Sequence, residues 1–346
     1  MMPLRATRSR TRAARYAAAV ATGPLGALSH DELGVIVDGL ADPLRPQLAV
    51  ALSSTCLGLR TPLQAALKVL KHRHWRVAAL WYVCDDGTRL TKVRYLKKLN
   101  FAKKGLTIDD MATIGMILRW LPRLQELFLD DNPFGDAGLQ ALCEALDRCL
   151  LRSLTVLDLA QTFLGPAGAE ALATALRLGM LPALKELCLN DNYKLGNQGV
   201  IALAEPVRKM SSLSDLSLCE CGVGHEGFAV LFANLGKDDF KKLEQLDIEF
   251  NDVTDADCEA LVKAIKRGLM PELAAVTVHR QTTASDEALK AVDAALSVRP
   301  KLQYEPQKDV GTVARTAEVP RFMAIKALKR FNGDVVATVM FLSSIQ

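Results

Sequence analysis

Aromatic side chains are scarce, at 5% of the 346 residues, and histidine occurs only five times, dispersed along the chain. No G-x-x-x-x-G-K-[ST] loop, G-x-S-x-G elbow, H-E-x-x-H helix or paired C-x-x-C is present, so the usual carriers of phosphate, acyl and zinc chemistry are missing. No catalysis, no metal and no cofactor are expected. His72 and His74 stand near Cys84, but an H-x-H on a helix does not put both rings on one face. Long apolar runs are also absent. Arg, Lys, Asp or Glu interrupts each candidate short of the ~18 to 20 residues a membrane helix needs, and no membrane partner is expected. Eight scattered cysteines do not make a small disulfide framework, which fits a reducing compartment, cytoplasmic or nuclear.

Acids are missing from residues 1–30, where five arginines stand alone. That composition fits a solvated tail over 1–27 or an organellar transit segment. The formal charge of +4 hides opposed blocks: +5 over 1–30, −2 over 31–60, +9 over 61–105, −11 over 106–300 and +3 over 301–346. The overall basic balance therefore says little about nucleic acid, which is not an expected partner. The acidic middle points to a basic one.

What is abundant is leucine, at 56 residues, and it is periodic. The pattern L-x-x-L-x-L-x-x-N-x-L-x-x-x-G, followed by a helical L-x-x-x-L, is clearest from Leu124 through Leu127, Leu129, Asn132, Phe134, Gly138, Leu142 and Leu146. Further copies start at Leu154, Leu184, Leu213 and Leu243, and degenerate ones at Leu96 and Leu273. The successive spacings are 28, 30, 30, 29, 30 and 30 residues. The third copy carries one inserted residue before Leu195, and the fifth has Asp257 where glycine is expected. Each L-x-L predicts a short strand and each later apolar set a helix behind it. No unit can bury its apolar face alone, so stacking is obligatory. The expected fold is an α/β solenoid over 96–298, with parallel strands inside the curve and helices outside. The pattern resembles the ribonuclease-inhibitor-like leucine-rich repeats.

Residues between the buried leucines point to the concave side, the broad binding face of such a solenoid. Twenty positions lie there in the five well-formed copies. Ten are acidic (Glu126, Asp130, Asp131, Asp158, Glu186, Asp191, Asp215, Glu220, Asp247 and Glu249) and none is Lys or Arg. Phe128 and Phe250 add aromatic contacts near opposite ends, while Lys98, Lys103, His279 and Arg280 reverse the sign at the flanks. A docking surface for a basic protein or peptide is expected. Turn geometry near the strand end is an alternative reason for Asp130, Asp131 and Asp191.

Residues 28–60 read as a helical block: Leu33, Ile36 and Leu40, a break at Pro43, then Leu48 and Leu52. It resembles an F-box, which implies that those five residues engage the adaptor of a cullin ubiquitin ligase. It departs from that motif at Ser29, where proline is usual, and in its Leu59-Arg60 end. The other reading is a helical cap for the solenoid. Residues 61–95 form a basic helical connector, with Leu63, Leu67, Leu70, His74, Val77 and Trp81 at alternating spacings of four and three. After a linker at 299–308, residues 309–346 predict three short helices. Their A-I-K-A-L-K, G-D-V-V and A-x-V-M-x-L elements resemble a ubiquitin-associated domain of the nascent-chain-associated complex alpha type. That resemblance implies ubiquitin as a partner, through Val319, Phe341 and Leu342, although Glu318-Val319-Pro320 lacks the family's aromatic loop.

The combination is expected to be a non-enzymatic substrate receptor of a ubiquitin ligase that holds a basic protein on the acidic face. A scaffold or inhibitor outside any ligase is the first alternative. A GTPase-activating protein of the Ran type is the second.

Overall fold

A computed structural model describes residues 42–44, 46–47, 49–51, 64–83, 90–146, 149–278, 283–297 and 340. The chain divides into two compact units, Met1–Arg94 and Tyr95–Gln346.

In the first unit, helix α1 (Gln64–Val83) buries Leu70, Val77 and Trp81 of the stripe that the spacing predicts, and Leu80 beside them. Leu70 packs with Ala49 and the half-buried Leu67. The His74 ring nitrogen Nδ1 lies 2.6 Å from the Pro43 carbonyl. Asp42 accepts from the Leu44 amide at 2.8 Å and meets Arg94 at 3.7 Å, so the turn before α1 and the 3-10 turn at Leu90–Tyr95 share one carboxylate.

The second unit is an α/β solenoid. Seven three-residue strands lie in sequence order: β1 (Lys98–Asn100), β2 (Glu126–Phe128), β3 (Val156–Asp158), β4 (Glu186–Cys188), β5 (Asp215–Ser217), β6 (Gln245–Asp247) and β7 (Ala275–Thr277). All six pairings are parallel, and the central row runs Leu99, Leu127, Leu157, Leu187, Leu216, Leu246, Val276. Helices alternate with the strands: α2 (Ile108–Leu118), α3 (Gly135–Leu146), α4 (Pro166–Arg177), α5 (Gly196–Arg208), α6 (His225–Phe232), α7 (Asp255–Lys266) and α8 (Asp286–Ser297). Leu142, Leu172, Leu203, Leu231 and Leu261 recur at one helix position and are buried with the strand leucines. Burying each contributes roughly 1.5–3 kcal/mol.

The recurring asparagine holds each turn. Asn132 Oδ1 accepts from the Lys104 and Leu106 amides of the preceding unit, and its Nδ2 donates to the carbonyls of Phe101, Leu129 and Asp130. Asn192 and Asn251 repeat the pattern. Between them stand Thr162 and Cys221, whose amides donate to the Asn of the following unit. One residue earlier the backbone turns left-handed in the first six units, at Lys103, Asp131, Gln161, Asp191, Glu220 and Phe250. A non-glycine residue there costs roughly 1–2 kcal/mol, which the asparagine network on both sides offsets.

The helix ends are also joined from unit to unit. Asp136 accepts from the Gly165 amide at 2.6 Å, Asn197 from Gly224 at 2.7 Å and Asp255 from Ser285 at 2.6 Å, each satisfying a donor at the start of the next helix. Asp257 has a reason of its own for replacing glycine. It completes a capping box with Thr254 and lies 2.9 Å from His225 of the preceding unit. The inserted residue of the third copy lies between Asn192 and Leu195, where exposed Tyr193 meets Phe163 edge-on.

Candidate protein-binding face

Alternation along three-residue strands sends the leucines toward the helices and their neighbours to the opposite face of the sheet. Register then lines those neighbours into rows. One row runs Lys98, Glu126, Val156, Glu186, Asp215, Gln245, Ala275, and the next Asn100, Phe128, Asp158, Cys188, Ser217, Asp247, Thr277. Of the twelve residues expected on the face, Glu126, Phe128, Asp158, Glu186, Asp215 and Asp247 lie in these two rows, and Asp130, Asp131, Asp191, Glu220, Glu249 and Phe250 follow the strands.

Burial divides them. Asp131 and Glu220 are exposed; Glu126, Glu186, Asp191, Asp215 and Phe250 are half-buried; Phe128, Asp130, Asp158, Asp247 and Glu249 are buried. The mid-strand acids thus differ in kind. Asp158 is 0% exposed. Around it Phe128, Val156, Ala160 and Cys188 form an apolar cluster. Its Oδ1 accepts from the Ala160 amide at 3.0 Å, and Oδ2 has no hydrogen-bond partner among the described residues. Burial first, and then the charge of Asp130, pushes its carboxyl up to about 8. Burial likewise raises Asp130 to about 6. At neutral pH Asp158 is therefore largely protonated.

Val156, Ala160 and Cys188 were not among the expected contacts. They occupy the same strand positions as the acids, so position was their signal. At the β1 edge Lys98 sits 4.6 Å over the Phe128 ring and Lys103 lies 4.0 Å from Asp131, where the charge reverses. His279 and Arg280 at the other flank lie outside the described residues, as do Leu33, Ile36, Leu40, Leu48, Leu52, Val319, Phe341 and Leu342. Asp131, Asp191, Glu220 and Phe250 all sit at the left-handed turn position, so turn geometry acts on them beside any role in binding. Among the described residues no group of His, Cys, Asp and Glu is arranged to hold a metal ion, and no helix is long and apolar enough to cross a membrane.

Residues 122–143, 151–173 and 241–262 each match the leucine rich repeat family. Over those stretches the chain is similar to leucine-rich repeats. Among curated relatives, the ribonuclease inhibitor of Sus scrofa is 37% identical over 131 residues, covering 37% of this chain and 27% of that protein. The ribonuclease inhibitor of Mus musculus is 31% identical over 201 residues, 49% of this chain and 43% of that protein. The mouse NACHT, LRR and PYD domains-containing protein 12 is 36% identical over 149 residues, 41% of this chain and 13% of that protein. The chain spans less than half the length of these relatives. The similarity to two ribonuclease inhibitors agrees with the resemblance read from the repeats.

Proposed function

We propose that this leucine-rich-repeat chain works by binding rather than catalysis, and that its strand face captures a basic protein segment. The observation that carries this reading is the sorting of charge: acids fill half of the twenty strand-face positions of β2 to β6 and the turns after them, and no Lys or Arg is among them. Relatives that are ribonuclease inhibitors by name support a scaffold or inhibitor role. The attraction comes from Glu126, Asp131, Glu186, Asp191, Asp215 and Glu220, because buried Asp158, raised to about 8, is largely protonated at neutral pH.

The test is a four-site charge reversal, Glu126→Lys, Glu186→Lys, Asp215→Lys and Glu220→Lys, against a fluorescent peptide of alternating Lys, Arg and Ser. The control reverses four exposed helix-side acids, Glu144, Glu170, Glu205 and Glu259. Affinity is expected to fall by about tenfold or more in the strand-face variant and to weaken with salt in the parent. Equal losses in the two variants sink the assignment of this face.

The finer reading makes the chain a substrate receptor of a cullin ubiquitin ligase, with Leu33, Ile36, Leu40, Leu48 and Leu52 toward the adaptor and Val319, Phe341 and Leu342 toward ubiquitin. It rests on the sequence resemblances alone. Full-length protein is expected to bind the purified F-box adaptor at micromolar or tighter affinity, lost in Leu33→Asp with Ile36→Asp. No binding, or binding that the double variant retains, leaves the non-ligase scaffold.

A further inference from the structure

In the first unit, α1 presents a solvent-facing stripe that its own packing does not use. Trp75 is 66% exposed and Tyr82 85% exposed. Seven residues apart, they stand two turns apart on one side of the helix, ~10 Å along its axis. Lys68, Lys71 and His72 are exposed on the same side, and Arg73 is exposed further round. The whole of α1 contains no Asp or Glu, and among the described residues no ion pair engages Lys68, Lys71 or Arg73. The first 94 residues hold fourteen Lys and Arg against six Asp and Glu. The whole-chain charge balance, which says little about nucleic acid, conceals this local excess.

We infer that this stripe binds single-stranded nucleic acid, with bases stacked on Trp75 and Tyr82 and phosphates held by Lys68, Lys71 and the neighbouring basic side chains. Burying a large indole and a phenol against the rest of the first unit would gain free energy, yet both rings face water among cations. A ligand that suits them must offer negative charge and flat π surfaces together, and a strand with unstacked bases does so. Insertion into an anionic bilayer needs the rings segregated from the lysines on a separate apolar face. Here Lys68 and Lys71 flank the rings. An acidic peptide meets the charge and leaves the rings without stacking partners. The inference is independent of the acidic strand face.

The experiment is fluorescence anisotropy with the full chain and labelled 20-residue oligo(dT) and oligo(U). The comparison ligands are a duplex of the same length, polyglutamate and vesicles of phosphatidylserine with phosphatidylcholine. Single strands are expected to bind best and to quench tryptophan emission. Trp75→Ala with Tyr82→Ala is expected to lower their affinity by about tenfold or more. Lys68→Gln with Lys71→Gln is expected to weaken binding and flatten its dependence on salt. All four residues are exposed, and unchanged thermal unfolding of the variants shows that they fold. An unchanged affinity in the aromatic variant, duplex binding as tight as single-strand binding, or tighter binding of polyglutamate or vesicles each overturns the inference.

Discussion

Asn192→Ala is expected to destabilise the solenoid by roughly 3–6 kcal/mol, the largest loss from any single change at a buried polar residue of the array. Asn192 Oδ1 accepts from the Thr162 amide at 3.1 Å and the Leu164 amide at 2.9 Å, and Nδ2 donates to the carbonyls of Leu159 at 2.8 Å and Leu189 at 2.9 Å. Alanine leaves two buried amides and two carbonyls of two successive units without these partners. Thr162→Ala is the informative comparison. It removes one strong bond, from the hydroxyl to the Leu159 carbonyl at 2.7 Å, while the Thr162 amide keeps Asn192. Urea unfolding followed by circular dichroism should rank Asn192→Ala well below Thr162→Ala, with a midpoint lower than the parent's in both. Equal midpoints for the two variants contradict the account in which asparagine in alternate units satisfies the backbone of its threonine- or cysteine-bearing neighbour.

The second large effect belongs to Asp158. Its carboxyl is raised to about 8 in the folded state, against ~4 in the unfolded chain. Between those values the folded protein holds more protons than the unfolded one. Stability is therefore full below pH ~4 and is lost as pH rises toward 8, by at most about 1.4 kcal/mol per pH unit. Asp158→Asn keeps an oxygen for the Ala160 amide and never ionises. It is expected to unfold at about the same temperature as the parent at pH 4.5 and several degrees higher at pH 8. Thermal scans at the two pH values decide it. A parent more stable at pH 8 than the variant shows that Asp158 is ionised and paired in the native state. Asp130, raised to about 6, adds a smaller slope of the same sign. The strand face consequently gains negative charge between pH 6 and 8, and a basic peptide should bind more tightly at the upper end.

The solenoid was largely legible in the leucines. Seven repeat starts became seven strands, because an L-x-L core can bury its alternate side chains only by lying against a helix and a neighbouring copy of itself. Asp257 was the instructive departure. The pattern called for glycine, but Thr254 three residues earlier and His225 in the preceding unit give a carboxylate its partners there. The Thr254 half of that arrangement is readable as a capping box; the His225 half depends on stacking.

Which residues alternate with the strand leucines was readable too, since strand alternation has a strict period of two. The state of its acids was not. Glu126, Asp158, Glu186, Asp215 and Asp247 carry the same carboxyl group on the same face of consecutive strands. Register between strands then sets Asp158 in a row between Phe128 and Cys188, while Glu126 lies between Lys98 and Val156. The exposure of α1 had the same limit. Its spacing named the buried stripe, Trp81 included, and only packing shows how far Trp75 faces water. The sequence by itself determined the period, the facing and the chemical groups, because these follow from local backbone geometry. Burial, and with it the charge each carboxyl carries at a given pH, was decided by the tertiary structure, because desolvation depends on neighbours about thirty residues away in the chain.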